Sequence, residues 1–73
     1  MLVYIFVVSS NEGQEEPVVF KTLKEAKKAL KDRYKEDLAD NKKEVMDNEL
    51  YDASARIELI DNYIYYGIYD INI

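Results

Sequence analysis

The 73-residue chain has no cysteine, no histidine and no tryptophan, and only two glycines and one proline. Without cysteine it can form neither a disulfide nor a thiolate metal site, and without histidine it lacks the commonest metal ligand and the usual general base. We therefore expect no zinc, haem or iron–sulfur site and no cofactor. Two glycines are also too few for a loop that cradles phosphate.

Groups suited to catalysis are scarce for the same reason. No serine or threonine has a histidine or cysteine to activate it, and Ser9, Ser10, Thr22 and Ser54 occupy predicted turns, caps or strand ends. A pair of carboxylates could act as acid and base, but a small open sheet offers little pocket to raise the pKa of one of them. The expectation is that the protein is not an enzyme.

Charge is unevenly distributed along the chain. The net charge of -5 is the sum of -3 in residues 1–20, +5 in residues 21–35 and -7 in residues 36–73. Sequence-independent nucleic-acid binding needs a net basic footprint, so this distribution disfavours it. It favours recognition of a charged partner, and we expect a protein partner with a basic surface.

The length predicts a single domain, residues 1–73, with a modest core. The apolar start MLVYIFVVSS follows no basic residues and is about half as long as a membrane span. It is therefore predicted to be a strand of a cytoplasmic protein without a membrane anchor. Residues 2–9 are apolar at both odd and even positions, which predicts a central strand covered on both faces.

The polar residues 9–17, with Gly13 as the flexible point, are predicted to link this strand to a short edge strand over Val18–Phe20. Next, KTLKEAKKALKDRYKEDLAD predicts a helix that Thr22 and Glu25 cap at its start. Its apolar residues recur every three or four positions and predict one buried stripe: Leu23, Ala26, Leu30, Tyr34 and Leu38. A second stripe on another face is basic: Lys24, Lys28, Lys31 and Lys35.

Asn41 and Glu44 have the spacing of a second cap, which predicts a short helix over residues 42–50; alternatively, the first helix continues. Residues 55–73 then predict a hairpin with a two-residue turn at Asp61-Asn62, since both residue types tolerate positive φ. In that register Ile57 pairs with Tyr66. One face holds Ala55, Ile57, Leu59, Ile64, Tyr66 and Ile68, and the other holds Arg56, Glu58, Ile60, Tyr63 and Tyr65.

Past Gly67 the apolar residues change face, and a bulge there would return Tyr69 and Ile71 to the core. The complete pattern predicts an α+β fold of the type ββα(α)ββ. Its four-stranded sheet is β-grasp-like: the first and last strands are parallel neighbours in the centre, and the main helix packs on one face.

Two features are candidates for partner binding. Tyrosines on the face away from the helix would provide contact area, and Tyr4 and Phe6 would extend that patch if they share the face. Seven carboxylates within residues 36–52 could mimic a nucleic-acid backbone; the alternative is an ordinary solvated surface. The predicted partner-binding residues are Asp37, Asp40, Glu44, Asp47, Glu49, Asp52, Glu58, Tyr63 and Tyr65.

The segments FKTLKEAKKALKDRYKEDLADN and ARIELIDNYIYYGIYDI together resemble short acidic open reading frames of bacteriophages and prophages in AT-rich bacteria. The resemblance spans most of the chain and rests on its organisation. Such proteins with a known activity are commonly inhibitors of a host enzyme or defence complex, anti-CRISPR proteins among them. What the resemblance implies is a protein of the host cytoplasm that acts by occupying a partner's surface.

The expected function is thus that of a small acidic protein-binding module, an inhibitor that blocks a host nucleic-acid-handling or defence protein. Two alternatives stay open. The aromatic sheet could pair with its own copy in a symmetric homodimer. The Lys stripe could bind nucleic acid, although lysines without arginine or interleaved aromatics are a weak signal for this.

Overall fold

The computed structural model describes residues 1–73 and contains one α-helix and six β-strands. In chain order the elements are β1 (Leu2–Ser10), β2 (Gly13–Gln14), β3 (Val18–Phe20), α1 (Leu23–Asp40), β4 (Val45–Leu50), β5 (Ser54–Leu59) and β6 (Tyr63–Asn72). The helix lies on one face of the sheet. No helix of this structure has the length and hydropathy that crossing a membrane requires.

The sheet is antiparallel throughout, with β2 and β3 following each other along one side of β1, and β6, β5 and β4 on the other. The α+β class is confirmed, but the predicted four-stranded β-grasp arrangement is wrong. The extra strand β4 follows the helix and reverses the direction of the last strand, so β1 and β6 are antiparallel neighbours. The helix crosses the sheet from the edge strand β3 to the opposite edge strand β4.

The prediction of a second helix over residues 42–50 is wrong, because Asn41 ends α1 and does not start a new helix. Its side-chain amide donates to the carbonyl of Asp37 (2.8 Å), as does its backbone N–H (3.1 Å). A turn follows, and β4 begins at Val45. A bulge between Val45 and Asp47 shifts the register against β5 and hides the alternation that would reveal a strand.

The hairpin of β5 and β6 has the predicted faces but not the predicted register. Ile57 pairs with Ile64, two residues away from the expected Tyr66. The connection comprises residues 60–62, and no residue other than glycine has positive φ, so the two-residue Asp61-Asn62 turn is not formed. Because the shift is two residues, the side chains of residues 55–59 and 63–68 keep their predicted faces, and Ile57 is fully buried beneath α1.

The predicted bulge at Gly67 is wrong as well. The pairing of β6 with β1 runs without interruption from Ile64 to Asn72, so Tyr69 and Ile71 lie on the face away from the helix. A Cβ at Gly67 would lie 3.1 Å from the Tyr69 hydroxyl oxygen and 3.2 Å from a ring carbon. The Tyr69 ring therefore covers the position where Gly67 has no side chain.

Strand β1 is central, as predicted, but only one of its faces is covered. Its even-numbered residues, Phe6 among them, face the helix, because they pair with the helix-facing residues of β6. The odd-numbered residues Val3, Ile5 and Val7 face away from it. The expectation that β1 is covered on both faces is thus wrong, and Tyr4 and Phe6 do not extend the outward tyrosine patch.

The helix begins as its sequence predicts, and its apolar stripe is buried or half-buried except at Leu23, where the prediction is wrong. The Thr22 hydroxyl accepts from the N–H of Glu25 (3.2 Å) and donates to the carboxylate of the same residue (2.8 Å). Leu30 and Tyr34 are buried against the sheet, whereas Leu23 at the helix start is more exposed. The core cluster comprises Phe6, Val8, Leu30, Tyr34, Ala55, Ile57, Leu59 and Tyr66.

A polar network ties the helix to the sheet. The buried hydroxyl of Tyr66 donates to the Asp37 carboxylate (2.5 Å), which also accepts from Arg33 Nε (3.0 Å). Arg33 donates in turn to both carboxylate oxygens of Glu15 (2.9 and 2.7 Å). The loop after β2 is thereby tied to α1 and, through Asp37, to the centre of the sheet.

This network predicts an alkaline loss of stability. Burial raises the pKa of the Tyr66 phenol above its ordinary value of 10.0, and the hydrogen bond to Asp37 acts in the same direction. The folded protein holds this proton more tightly than the unfolded chain, so the stabilisation is complete below about pH 10 and is lost as the pH rises further. Urea denaturation of the wild type should show the free energy of unfolding falling above that pH.

In Tyr66→Phe this alkaline fall should be smaller, and stability at neutral pH should be about 1–3 kcal/mol lower, because the buried Asp37 carboxylate loses a donor. Tyr65→Phe is the matched control, since the Tyr65 hydroxyl bonds nothing in the structure; it should behave as the wild type does. An equal alkaline fall in wild type and Tyr66→Phe would contradict the assignment.

Candidate protein-binding surface

The face of the sheet without the helix, here called the open face, is a single surface formed by five strands. The pairing registers decide which side chains lie on it, because directly paired residues share a face. Its residues are Val3, Ile5, Val7, Val19, Tyr63, Tyr65, Tyr69, Ile71, Arg56, Glu58, Asp47 and Glu49.

The half of the open face formed by β3, β1 and β6 is apolar and aromatic. Val3 is buried (6% exposed) although no helix covers it, while Tyr65 is 48% exposed. The rings of Tyr63 and Tyr65 are in contact, with centroids 4.8 Å apart and planes inclined at 36°. Large exposed rings beside aliphatic side chains form an apolar patch of the kind that marks a protein interface.

The other half, on β5 and β4, is charged and centred on Arg56. The guanidinium donates through Nε to Glu49 (2.9 Å) and through Nη2 to Asp47 (2.8 Å), and Glu58 lies 3.8 Å from Nη1. The hydrogen bond from Arg56 lowers the pKa of the Asp47 carboxyl, with a further contribution from the Asn48 N–H. One cation among three carboxylates leaves this half with a net charge of -2.

The two halves meet along the pairing of β5 with β6. Tyr65 pairs with Arg56, and Tyr63 pairs with Glu58. The aromatic rings therefore lie next to the carboxylates on one continuous surface, in a strand-by-strand order of aliphatic, aromatic and acidic side chains. Such an order suits a partner with an apolar centre and a basic rim on one side.

The structure brings together five of the nine predicted partner-binding residues: Asp47, Glu49, Glu58, Tyr63 and Tyr65 all lie on the open face. The other four lie elsewhere. Asp37 is buried and bonded to Tyr66 and Arg33. Asp40 ends α1, Glu44 lies in the turn before β4, and Asp52 pairs with Lys27 (2.8 Å) between β4 and β5.

Sequence reasoning missed part of the open face. The sequence predicts that both faces of β1 are covered, with Ile5 and Val7 on one of them, and that a bulge returns Tyr69 and Ile71 to the core. The structure places all four on the open face. The signal that could have identified them is the strand β1 itself, which is apolar on both faces in a chain with too few helical residues to cover both.

The Lys stripe lies on the opposite side of the molecule. Lys24, Lys28, Lys31 and Lys35 are exposed on α1, and Lys28 pairs with Asp32 at 2.6 Å. Hydrogen bonding to Lys28 lowers the pKa of the Asp32 carboxyl. The basic and acidic surfaces are therefore separated by the sheet.

The open face has neither a cluster of metal ligands nor a cavity. No group of three or more acidic side chains is arranged to hold a metal ion. The three surface cavities lie on the helix side or at a turn, and each is lined by five or six residues, none of which belongs to the open face.

No protein-family model matches this chain, and comparison with curated proteins and with solved structures gives no significant match.

Proposed function

We propose that this protein is a small protein-binding module of the inhibitor type, which blocks a partner by covering it with the open face. The proposal rests mainly on one observation: the central strand β1 is apolar on both faces, but the single helix covers only one of them. An apolar, aromatic surface that stays in contact with water costs solvation free energy, and binding a partner recovers it.

The charge of the open face indicates which partner it fits. The acidic half carries a net charge of -2 beside the tyrosines, and the whole chain carries -5. A partner with basic residues around an apolar patch is complementary to this surface, and proteins that handle nucleic acids present basic surfaces. The module would then occupy that surface and exclude the nucleic acid by steric and electrostatic means.

The two halves of the open face have different tasks in this proposal. Tyrosines give large contact area with few rotamers to freeze, so they supply affinity. Exposed carboxylates steer the encounter and select the partner, so they affect the association rate and its salt dependence more than the strength of the complex.

Affinity capture from the native host with three matched baits tests the proposal. The double variant Tyr63→Ala/Tyr65→Ala should lose the partner that wild type captures, since aromatic hot spots typically contribute about 2 kcal/mol or more each. Glu58→Lys should weaken capture and reduce its dependence on salt. Asp40→Lys makes the same change of charge at the end of α1, away from the open face, and should capture as wild type does.

Capture that is equal with all of these baits would contradict the proposal, as would loss of capture only with Asp40→Lys. Each variant changes exposed side chains, so thermal unfolding should first show that each bait retains the wild-type fold.

A second candidate function, a symmetric homodimer, is favoured by the order of residues across the open face. A two-fold axis parallel to the strands, midway between β1 and β6, would stack the β1 of one copy on the β6 of the other. The two acidic β4 edges would then lie at opposite sides, about 24 Å apart at five strand spacings. That distance exceeds the Debye length of about 8 Å at physiological salt, so their repulsion would be largely screened.

Light scattering with size-exclusion chromatography separates the two functions. If the open face is free for another protein, the mass should stay that of a monomer, 8.6 kDa, at micromolar concentration. A concentration-dependent dimer that Tyr63→Ala/Tyr65→Ala dissociates would favour the homodimer and contradict the inhibitor proposal.

A further inference from the structure

A second surface feature lies on the helix side of the sheet, at the far edge from β3. It is a groove of about 360 Å³ between α1 and the end of β4. Leu30 forms its buried floor, and Leu50 and Tyr51, 42% and 57% exposed, form its sheet side. Lys27 and Lys31 form the helix side, with Asp52 at one end.

The strand that borders this groove is an edge strand, since β4 pairs with β5 alone. The N–H of Tyr51 donates to the carbonyl of Ser54 (2.8 Å). By the alternation of an antiparallel ladder, Glu49 also directs its backbone groups to β5, whereas Asn48 and Leu50 direct theirs outward.

The two ends of this edge differ. At its start, the bulge after Val45 twists the strand, and the Asp47 carboxylate accepts the outward N–H of Asn48 (2.9 Å). Both features hinder the pairing of this edge with another chain. At its end, beside the groove, there is neither a bulge nor a side chain bonded to the outward backbone groups. The N–H and C=O of Leu50 and the C=O of Asn48 therefore remain available for hydrogen bonds to another chain.

The groove is positively charged. Lys27 pairs with Asp52 at 2.8 Å, whereas Lys31 has no ion-pair partner, so the groove carries one unpaired positive charge. An apolar floor, an open strand edge and a free ammonium lie within one concave site. Peptides that add a strand to a sheet edge use these three elements: backbone hydrogen bonds, pockets for alternate side chains and charge recognition.

We propose that the groove between α1 and the end of β4 binds an extended peptide segment that pairs with Leu50 and carries an aliphatic and an acidic side chain two residues apart, so that both face the helix side. Three backbone hydrogen bonds would join the segment to Leu50 and Asn48. An aliphatic side chain would lie on Leu30 between the helix and the strand, and an acidic side chain two residues along the segment, on the same face, would meet Lys31. This site is independent of the open face, which lies on the other side of the sheet and recognises positive charge.

The test is a titration of the ¹⁵N-labelled protein with an acetylated heptapeptide that carries valine, glutamate and valine at its even positions and threonine at its odd positions, so that valine and glutamate share one face. We expect saturable amide shifts confined to Asn48–Asp52 and Lys27–Lys31, with a dissociation constant on the order of 1 mM or below. The same peptide with lysine in place of its glutamate should bind at least about tenfold more weakly, which corresponds to about 1.4 kcal/mol.

Two lysine variants form the matched pair for this site. Lys31→Glu should weaken binding of the valine–glutamate peptide about fivefold or more, whereas Lys35→Glu, with the same charge change outside the groove, should have an effect below about twofold. The proposal is overturned if no saturable shifts occur, if the shifts lie on the open face, or if both variants weaken binding equally. None of these results would bear on partner capture by Tyr63 and Tyr65.

Discussion

One helix has to cover a sheet whose central strand is apolar on both faces, and this constraint determines the rest of the structure. An α-helix with its side chains is about 10 Å wide, roughly the width of two to three strands. α1 therefore encloses the inner face of β1, β6 and β5, where Phe6, Ile57 and Tyr66 form the core with Leu30 and Tyr34. The outer face of the same strands receives no cover from the chain itself.

The charged groups are distributed differently on the two faces of the sheet. On the covered side, Asp37 is the one charged residue that is buried, and its carboxylate is bonded to Tyr66 and Arg33. On the open side, Arg56 holds three carboxylates around it on β5 and β4, directly beside Tyr63 and Tyr65 of β6. The molecule thus has a basic helical surface, an apolar and aromatic outer sheet and an acidic edge, which together suit two separate recognition sites of opposite charge preference.

Local signals in the sequence were sufficient for α1 and for the faces of the last hairpin. The Thr22 cap and the spacing of Ala26, Leu30 and Tyr34 are properties of one helix, and the alternation around Ile57 and Tyr66 is a property of each strand. These features follow from neighbouring residues and need no knowledge of the fold.

Long-range pairing was not predictable in the same way. The bulge beside Met46 made β4 resemble a capped helix, and the register of the hairpin depended on a turn that the Asp61-Asn62 pair does not form. Gly67 was interpreted as a bulge, although Tyr69 covers it and β6 continues straight. For the candidate site, the tyrosines and Glu58 were identified, but the aliphatic half required the position of β1 between β3 and β6.

Nitration of the free protein by tetranitromethane, mapped by mass spectrometry, tests the central assignment of covered and open faces most directly. The account predicts that Tyr63, Tyr65 and Tyr69 react, while Tyr34 and Tyr66, enclosed between α1 and the sheet, remain unmodified until the protein unfolds. Early nitration of Tyr34 or Tyr66, with Tyr63 and Tyr65 protected in dilute protein, would show that the helix covers the opposite face and would contradict the account.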